Sequence, residues 1–142
     1  MAVTTGRRYA TVIHPLHAVL LAGTVPLFLG AALSDAAYAS SYEIQWTNFA
    51  SWLIVGGLFF AGIALLFAII DLFRADRRAR DIFLYAAVLL ATWVVGFFNA
   101  LMHARDAWAS MPAGLVFSVI VTLLACVATW FGFRTPRTGA TQ

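Results

Sequence analysis

Apolar positions in this chain run together in four long blocks; they neither alternate with polar ones nor keep to a single narrow stripe. The blocks reach from about Pro15 to Ala37, Phe49 to Phe73, Ile82 to Met102 and Pro112 to Phe133, each 21 to 25 residues long. A helix rises about 1.5 Å per residue and needs roughly 20 residues to cross the hydrocarbon of a bilayer. The pattern predicts four membrane-crossing helices. It excludes a transmembrane β-barrel, whose strands are far shorter and alternate with period two. Pro15 and Pro112 stand where a first helical turn tolerates a missing N–H, Asn48 and Ser110 stand as candidate caps, and Asp81 opens the third span. Because the links are short, consecutive helices should be antiparallel neighbours. The expected fold is all-α, an up-down bundle filling residues 1–142 as a single transmembrane domain.

Composition supports lipid as the solvent. Of 142 residues, 63% are hydrophobic and 11% charged, and the mean hydropathy is +0.89. A water-soluble domain of this size leaves too much of its area exposed to hide so many apolar side chains.

Charge then orients the bundle. Arg7 and Arg8 precede the first span, Arg74, Arg77, Arg78 and Arg80 fill the second link, and Arg134 and Arg137 follow the last span. One face thus holds eight of nine basic residues, and Arg105 alone lies on the other. By the positive-inside rule both termini are expected in the cytoplasm, which makes this a multi-pass membrane protein. Trp46, Trp52 and Trp108, with Tyr38 and Tyr42, fall near the outer interface, and Trp130 approaches the inner one. Trp93 lies deeper and reads as packing. The sequence pI of about 9.6 points here to anionic lipid and not to nucleic acid, for no platform of exposed aromatics is interleaved with the arginines. Arg7, Arg8 and Ala37-Tyr38-Ala39 imitate a cleaved signal peptide, but the apolar region between them exceeds the usual 7 to 15 residues, so the first span is expected to be retained.

Few motifs carry chemistry. The lone Cys126 allows no internal disulfide or Cys-x-x-Cys pair, and no phosphate loop, His-Glu-x-x-His or serine elbow occurs. Polar residues inside the spans are more informative, since ionisable groups at membrane depth are costly and usually have a partner or a task. On the first span His14, Leu21, Phe28 and Asp35 recur every seven residues beside a companion row of His17, Thr24 and Ala31. On the second, Gly57, Ala61, Ala64 and Ala68 form a small-residue row that places Asp71 toward the bundle. His14, His17 and Asp71 could therefore converge at the inner end. Such a set serves as a hydrogen-bonded cluster, as ligands of a divalent metal if another group completes the shell, as a haem or quinone contact, or as a proton relay.

At the outer end Thr92, Gly96, Asn99, His103 and Asp106 share one face of the third span. Asn99 can reach His103 along the helix, and Arg105 or Asp106 is expected to meet Asp35; an Asp35–Arg105 pair would register the helices. Haem b held by two imidazoles is disfavoured within one copy. His103 stands about 30 Å across the membrane from His14 and His17 by helical rise, and those two share one helix face. A solute path is equally poor, because the middle of the bundle offers mainly Thr24, Thr92, Ser118 and Thr122.

The His14-Pro15-Leu16-His17 start, Asp35, the Ile70-Asp71-Leu72-Phe73 end and the stretch from Asn99 to Trp108 resemble a family of small four-helix bacterial inner-membrane proteins catalogued as a domain of unknown function. The similarity covers about residues 12 to 133. In that family the opening histidines often read His-Pro-x-x-x-His, and a further histidine often stands near the start of the third span, where this chain has Arg80, Asp81 and Ile82. The resemblance implies fold and location, and it leaves room for a periplasmic redox partner. Taken together, the sequence favours an accessory or structural membrane subunit in contact with lipid, as a homo-oligomer or in a larger complex. The alternatives are a metal-, haem- or quinone-associated redox module acting with a partner, and an oligomeric proton or ion conductor.

Overall fold

In the computed structural model the described residues are 13–74 and 79–134, and those among them fold as α1 (Pro15–Ser41), α2 (Ile44–Arg74), α3 (Ala79–His103), a single turn α4 (Ala107–Ser110) and α5 (Ala113–Arg134). Helices α1, α2, α3 from Arg80 onward, and α5 are each long and apolar enough to cross a membrane. They stand in a square in which α1 neighbours α2 and α5, and α3 neighbours the same two. The diagonals α1–α3 and α2–α5 approach mainly through side chains. The expected four-helix architecture is therefore present. Arg7, Arg8, Arg77, Arg78 and Arg137 lie outside the described residues, so the arginine-rich face is represented by Arg74, Arg80 and Arg134.

Helix ends differ from the hydropathy boundaries. α1 continues four residues past Ala37, to Ser41, and stops at Tyr42, whose left-handed backbone (φ 58°) turns its N–H back to the Tyr38 carbonyl. α2 starts at Ile44, so Asn48 is inside a helix and caps nothing. Ser110 belongs to α4, where its hydroxyl donates to the Ala107 carbonyl, and Pro112 precedes α5. The cause is general. Hydropathy marks the stretch that suits hydrocarbon, whereas backbone hydrogen bonding continues into the polar layer until a residue breaks it.

The interior is built on rings set against glycines. Lipid tails are as apolar as leucine, so association in a bilayer depends on close packing more than on expelling water. Phe28 of α1 is fully buried at the centre, and a Cβ added at Gly57 of α2 would stand 2.7 Å from its ring, one at Gly96 of α3 only 3.4 Å away. At one end Gly132 of α5 gives way to Leu21 and Tyr85. The expected small row of Gly57, Ala61, Ala64 and Ala68 is buried along its whole length, as are Leu21, Phe28 and Asp35 and the companion row His17, Thr24 and Ala31. Outward faces carry Val19, Leu33, Phe59 and Leu123, all more than half exposed and placed to meet lipid. Trp52, Trp108 and Trp130 are exposed near helix ends. Tyr38, in contrast, is buried, its ring edge-on to Tyr42. Trp93 is partly buried against the core and stacks on Phe97.

Adjacent glycines offer a test of this packing. Gly57→Ala should destabilise the purified protein by about 1–3 kcal/mol through overpacking against Phe28. Gly56→Ala should be neutral or stabilising, because its Cβ would meet Leu27 at an ordinary 3.5 Å and helix propensity improves. Thermal unfolding of the two variants in the same detergent separates these outcomes.

Candidate functional site

Two polar groups on α1, His17 and Asp35, are both fully buried and lie 18 residues apart, five complete turns, so they point the same way about 27 Å apart. On α3 Tyr85 and His103 repeat that interval. The two helices run parallel across the bundle's diagonal, and the pairs meet. At one end the His17 Nε2 is 2.7 Å from the Tyr85 hydroxyl. At the other the His103 Nε2 is 2.8 Å from Asp35 Oδ1, with both side chains out of solvent.

The Asp35 end is the richer of the two. The Ser118 hydroxyl on α5 donates to Asp35 Oδ2 at 2.6 Å, and the Asn99 amide donates to the Ser118 oxygen at 2.8 Å. The His103 Nδ1 donates to the Asn99 backbone carbonyl at 3.0 Å. Three helices are thereby joined in a closed circuit, Asn99 to Ser118 to Asp35 to His103 and back to Asn99. Gly114 of α5 leaves room for the imidazole, since a Cβ there would stand 3.0 Å from its Cε1. Asn99 Oδ1 is buried and has no partner among the described residues, so the circuit keeps one open acceptor.

Of the residues singled out from the sequence, Asp35, Asn99 and His103 assemble here. Arg105 does not reach Asp35. It is exposed and turns toward the Met102 sulfur at 3.9 Å, and the carboxylate's partner is His103 instead. α3 has ended at His103, so Arg105 stands in the link beyond it and does not share the helix face that turns His103 to the core. Asp106 is exposed at the start of α4, where its carbonyl accepts from Ala109 and Ser110. Sequence reading missed Tyr85, Gly114 and the role of Ser118. The signal for Tyr85 was available: it stands seven residues before Thr92 and fourteen before Asn99, on the same face.

At the His17 end the side chains meet differently from the sequence expectation. His17 stacks on Phe67 with ring centres 5.2 Å apart and gives its Nε2 to Tyr85. His14 is exposed, stacked at 6.1 Å on the same Phe67, and Asp71 is half-buried. Among the described residues no three His, Cys, Asp or Glu side chains cluster closely enough to hold a metal ion, so His14, His17 and Asp71 form no three-ligand set by themselves.

Between the two ends the core is mainly apolar. The hydroxyls of Thr24, Thr92 and Thr122 donate to carbonyls of their own helices. Thr129 reaches from α5 to the Leu21 carbonyl of α1 at 3.3 Å. Leu21, Phe28, Leu89 and Val121, all fully buried, fill the remaining section. On the outside, Val25, Cys126, Thr129, Trp130, Phe133 and Arg134 line a shallow groove of about 490 Å³ between α1 and α5, with the Arg134 guanidinium 4.9 Å above the Trp130 ring.

The chain belongs to the family described as "Predicted membrane protein (DUF2231)", whose model matches residues 13–137. No curated protein and no solved structure matches it.

Ser118 supplies two bonds at once, so Ser118→Ala should cost about 1–3 kcal/mol by leaving Asp35 Oδ2 and the Asn99 amide without their partner. Arg105→Ala should stay within about 0.5 kcal/mol of the natural protein, as an exposed substitution away from the circuit. Thermal unfolding in detergent ranks the two, and an equal loss in both would contradict the geometry described.

Proposed function

We propose that this chain is an accessory, structural subunit of the bacterial inner membrane, with both ends in the cytoplasm and the Asp35–His103 circuit toward the periplasm. The observation that carries the reading is where the interior polar groups are spent. Asp35 bonds His103 and Ser118, Asn99 bonds Ser118, and His17 turns to Tyr85, so most of the polar chemistry of the core goes into holding helices in register. The arginine distribution supports the orientation. Exposed apolar side chains on every long helix suit lipid and a neighbouring subunit, either a second copy or a partner within a larger complex.

A redox or metal-binding role is the second reading. His14 favours it, since it is exposed at a helix start beside Phe67 and stands open to a ligand set completed by a partner. Haem b, a quinone or a divalent metal would then be shared between subunits, with a periplasmic redox protein as the electron partner. An oligomeric conductor finds less support, because bulky apolar side chains separate the polar ends.

Mild-detergent extraction from native membranes, followed by co-purification, an optical spectrum and metal content per chain, distinguishes the readings. The accessory role predicts a stable partner protein and no Soret band or stoichiometric metal on the isolated chain. A Soret band or one metal per isolated chain would overturn it. Asp71→Asn, which keeps shape and removes charge, should weaken folding and partner association together under the structural reading. Loss of a bound chromophore or metal from the intact assembly in that variant would favour the second.

A further inference from the structure

We propose that Asp35 and His103 together form a binding site for a single proton, and that occupancy of this site keeps α1 latched to α3 and α5. The inference goes beyond the accessory role and holds whether or not a partner is present.

It rests on counting hydrogens around the circuit. The Asn99 carbonyl can only accept, so the His103 Nδ1 facing it at 3.0 Å must carry a hydrogen. Ser118 receives a hydrogen from the Asn99 amide and sends its own to Asp35 Oδ2. What remains is the 2.8 Å contact between His103 Nε2 and Asp35 Oδ1. One hydrogen must lie in it, on the nitrogen as an imidazolium–carboxylate pair or on the oxygen as an imidazole–carboxylic acid pair. The heavy atoms occupy the same positions in either case, and either pair has no net charge.

Removing that proton changes the site qualitatively. A carboxylate lone pair would then face an imidazole lone pair across 2.8 Å, and the pair would carry one negative charge. Among the described residues no cation pairs with it. Arg105 is turned to Met102, and Asp106 is exposed on the following turn. From α5 the site receives Gly114 and Ser118. On α1 the flanking polar residues are Ser34, which bonds the Gly30 carbonyl, and the buried Tyr38. The near end of α2 offers Thr47 and Ala50, without charge, and Glu43 before it is exposed. An uncompensated buried charge of this kind is strongly destabilising, so the ring must swing away or the helices must part. The step balances simply: the neutral pair gives its proton to water, leaving an anionic carboxylate and a neutral imidazole. Water is close, for His103 ends α3 and Ala104, Arg105 and Asp106 are exposed.

The sign follows from the bond. It exists only while the proton is held, so its stabilisation is present at low pH and disappears as pH rises past the point of release. The test uses the full chain in detergent with ¹⁵N-labelled histidine, followed by NMR between about pH 5 and 9. His103→Gln assigns the His103 signals by their loss and supplies a permanent N–H donor to Asp35 that does not titrate. In the natural protein the His103 ring signals should change with pH while Nδ1 keeps its hydrogen, and the melting temperature should fall over the same interval. In His103→Gln the melting temperature should be flat there. Gly114→Ala retains every titrating group but crowds the ring. It should move the midpoint downward by about one pH unit, a tenfold loss of proton affinity. Ring signals constant throughout the range would overturn the proposal, as would a melting profile shared with His103→Gln or a midpoint unmoved by Gly114→Ala.

Discussion

A carboxylate inside a bilayer must find its hydrogen bonds within the protein, and the rest of this structure is arranged around how Asp35 does so. Its side chain is fully buried, and an unsatisfied charge there would cost several kcal/mol. Asp35 takes a donor from α3 and another from α5, and the α3 donor is itself held by a backbone carbonyl one turn back. A single acidic group thus fixes the relative depth and rotation of three helices. Five turns away the His17–Tyr85 contact repeats the constraint across the same diagonal. Two contacts at equal intervals on parallel helices permit neither sliding nor rotation, since either movement would break both.

Much of this was legible along the chain and some of it was not, for reasons that particular residues make clear. Depth and face follow from spacing, so the rows through Leu21, Phe28 and Asp35 and through Gly57, Ala61, Ala64 and Ala68 were readable and are buried. Helix ends were less accessible, because Ser41 and Ile44 lie in a polar layer where hydropathy falls but helix continues. Partners were the hardest. Arg105 is an electrostatically attractive match for Asp35, yet it stands exposed beyond the end of α3 and His103 holds the position. A neutral residue such as Ser118 carries no charge signal, although it bonds both Asp35 and Asn99. His14 and His17 differ in their surroundings. Two histidines three residues apart suggest shared chemistry, but one is exposed at the helix start and the other is turned into the core toward Tyr85.

Membership in the DUF2231 family agrees with the fold and leaves the activity to be argued from the site. What the site contains is economical. Its charged and polar groups are few, they lie at the ends of the bundle, and a plug of fully buried Leu21, Phe28, Leu89 and Val121 separates them. Such an interior suits a component that holds shape within a membrane.

α2 stands apart from its neighbours in one respect. Through its middle it meets them by close contact, with Gly57 against Phe28, Gly62 against Trp93, and a row of buried alanines. Evolution therefore faces two different filters within one small bundle. Along the small-residue row of α2, from Gly57 to Ala68, a replacement is screened by its volume. Along the α1–α3 diagonal it is screened by valence, and even an isosteric replacement fails if it cannot give or receive a hydrogen in the same direction.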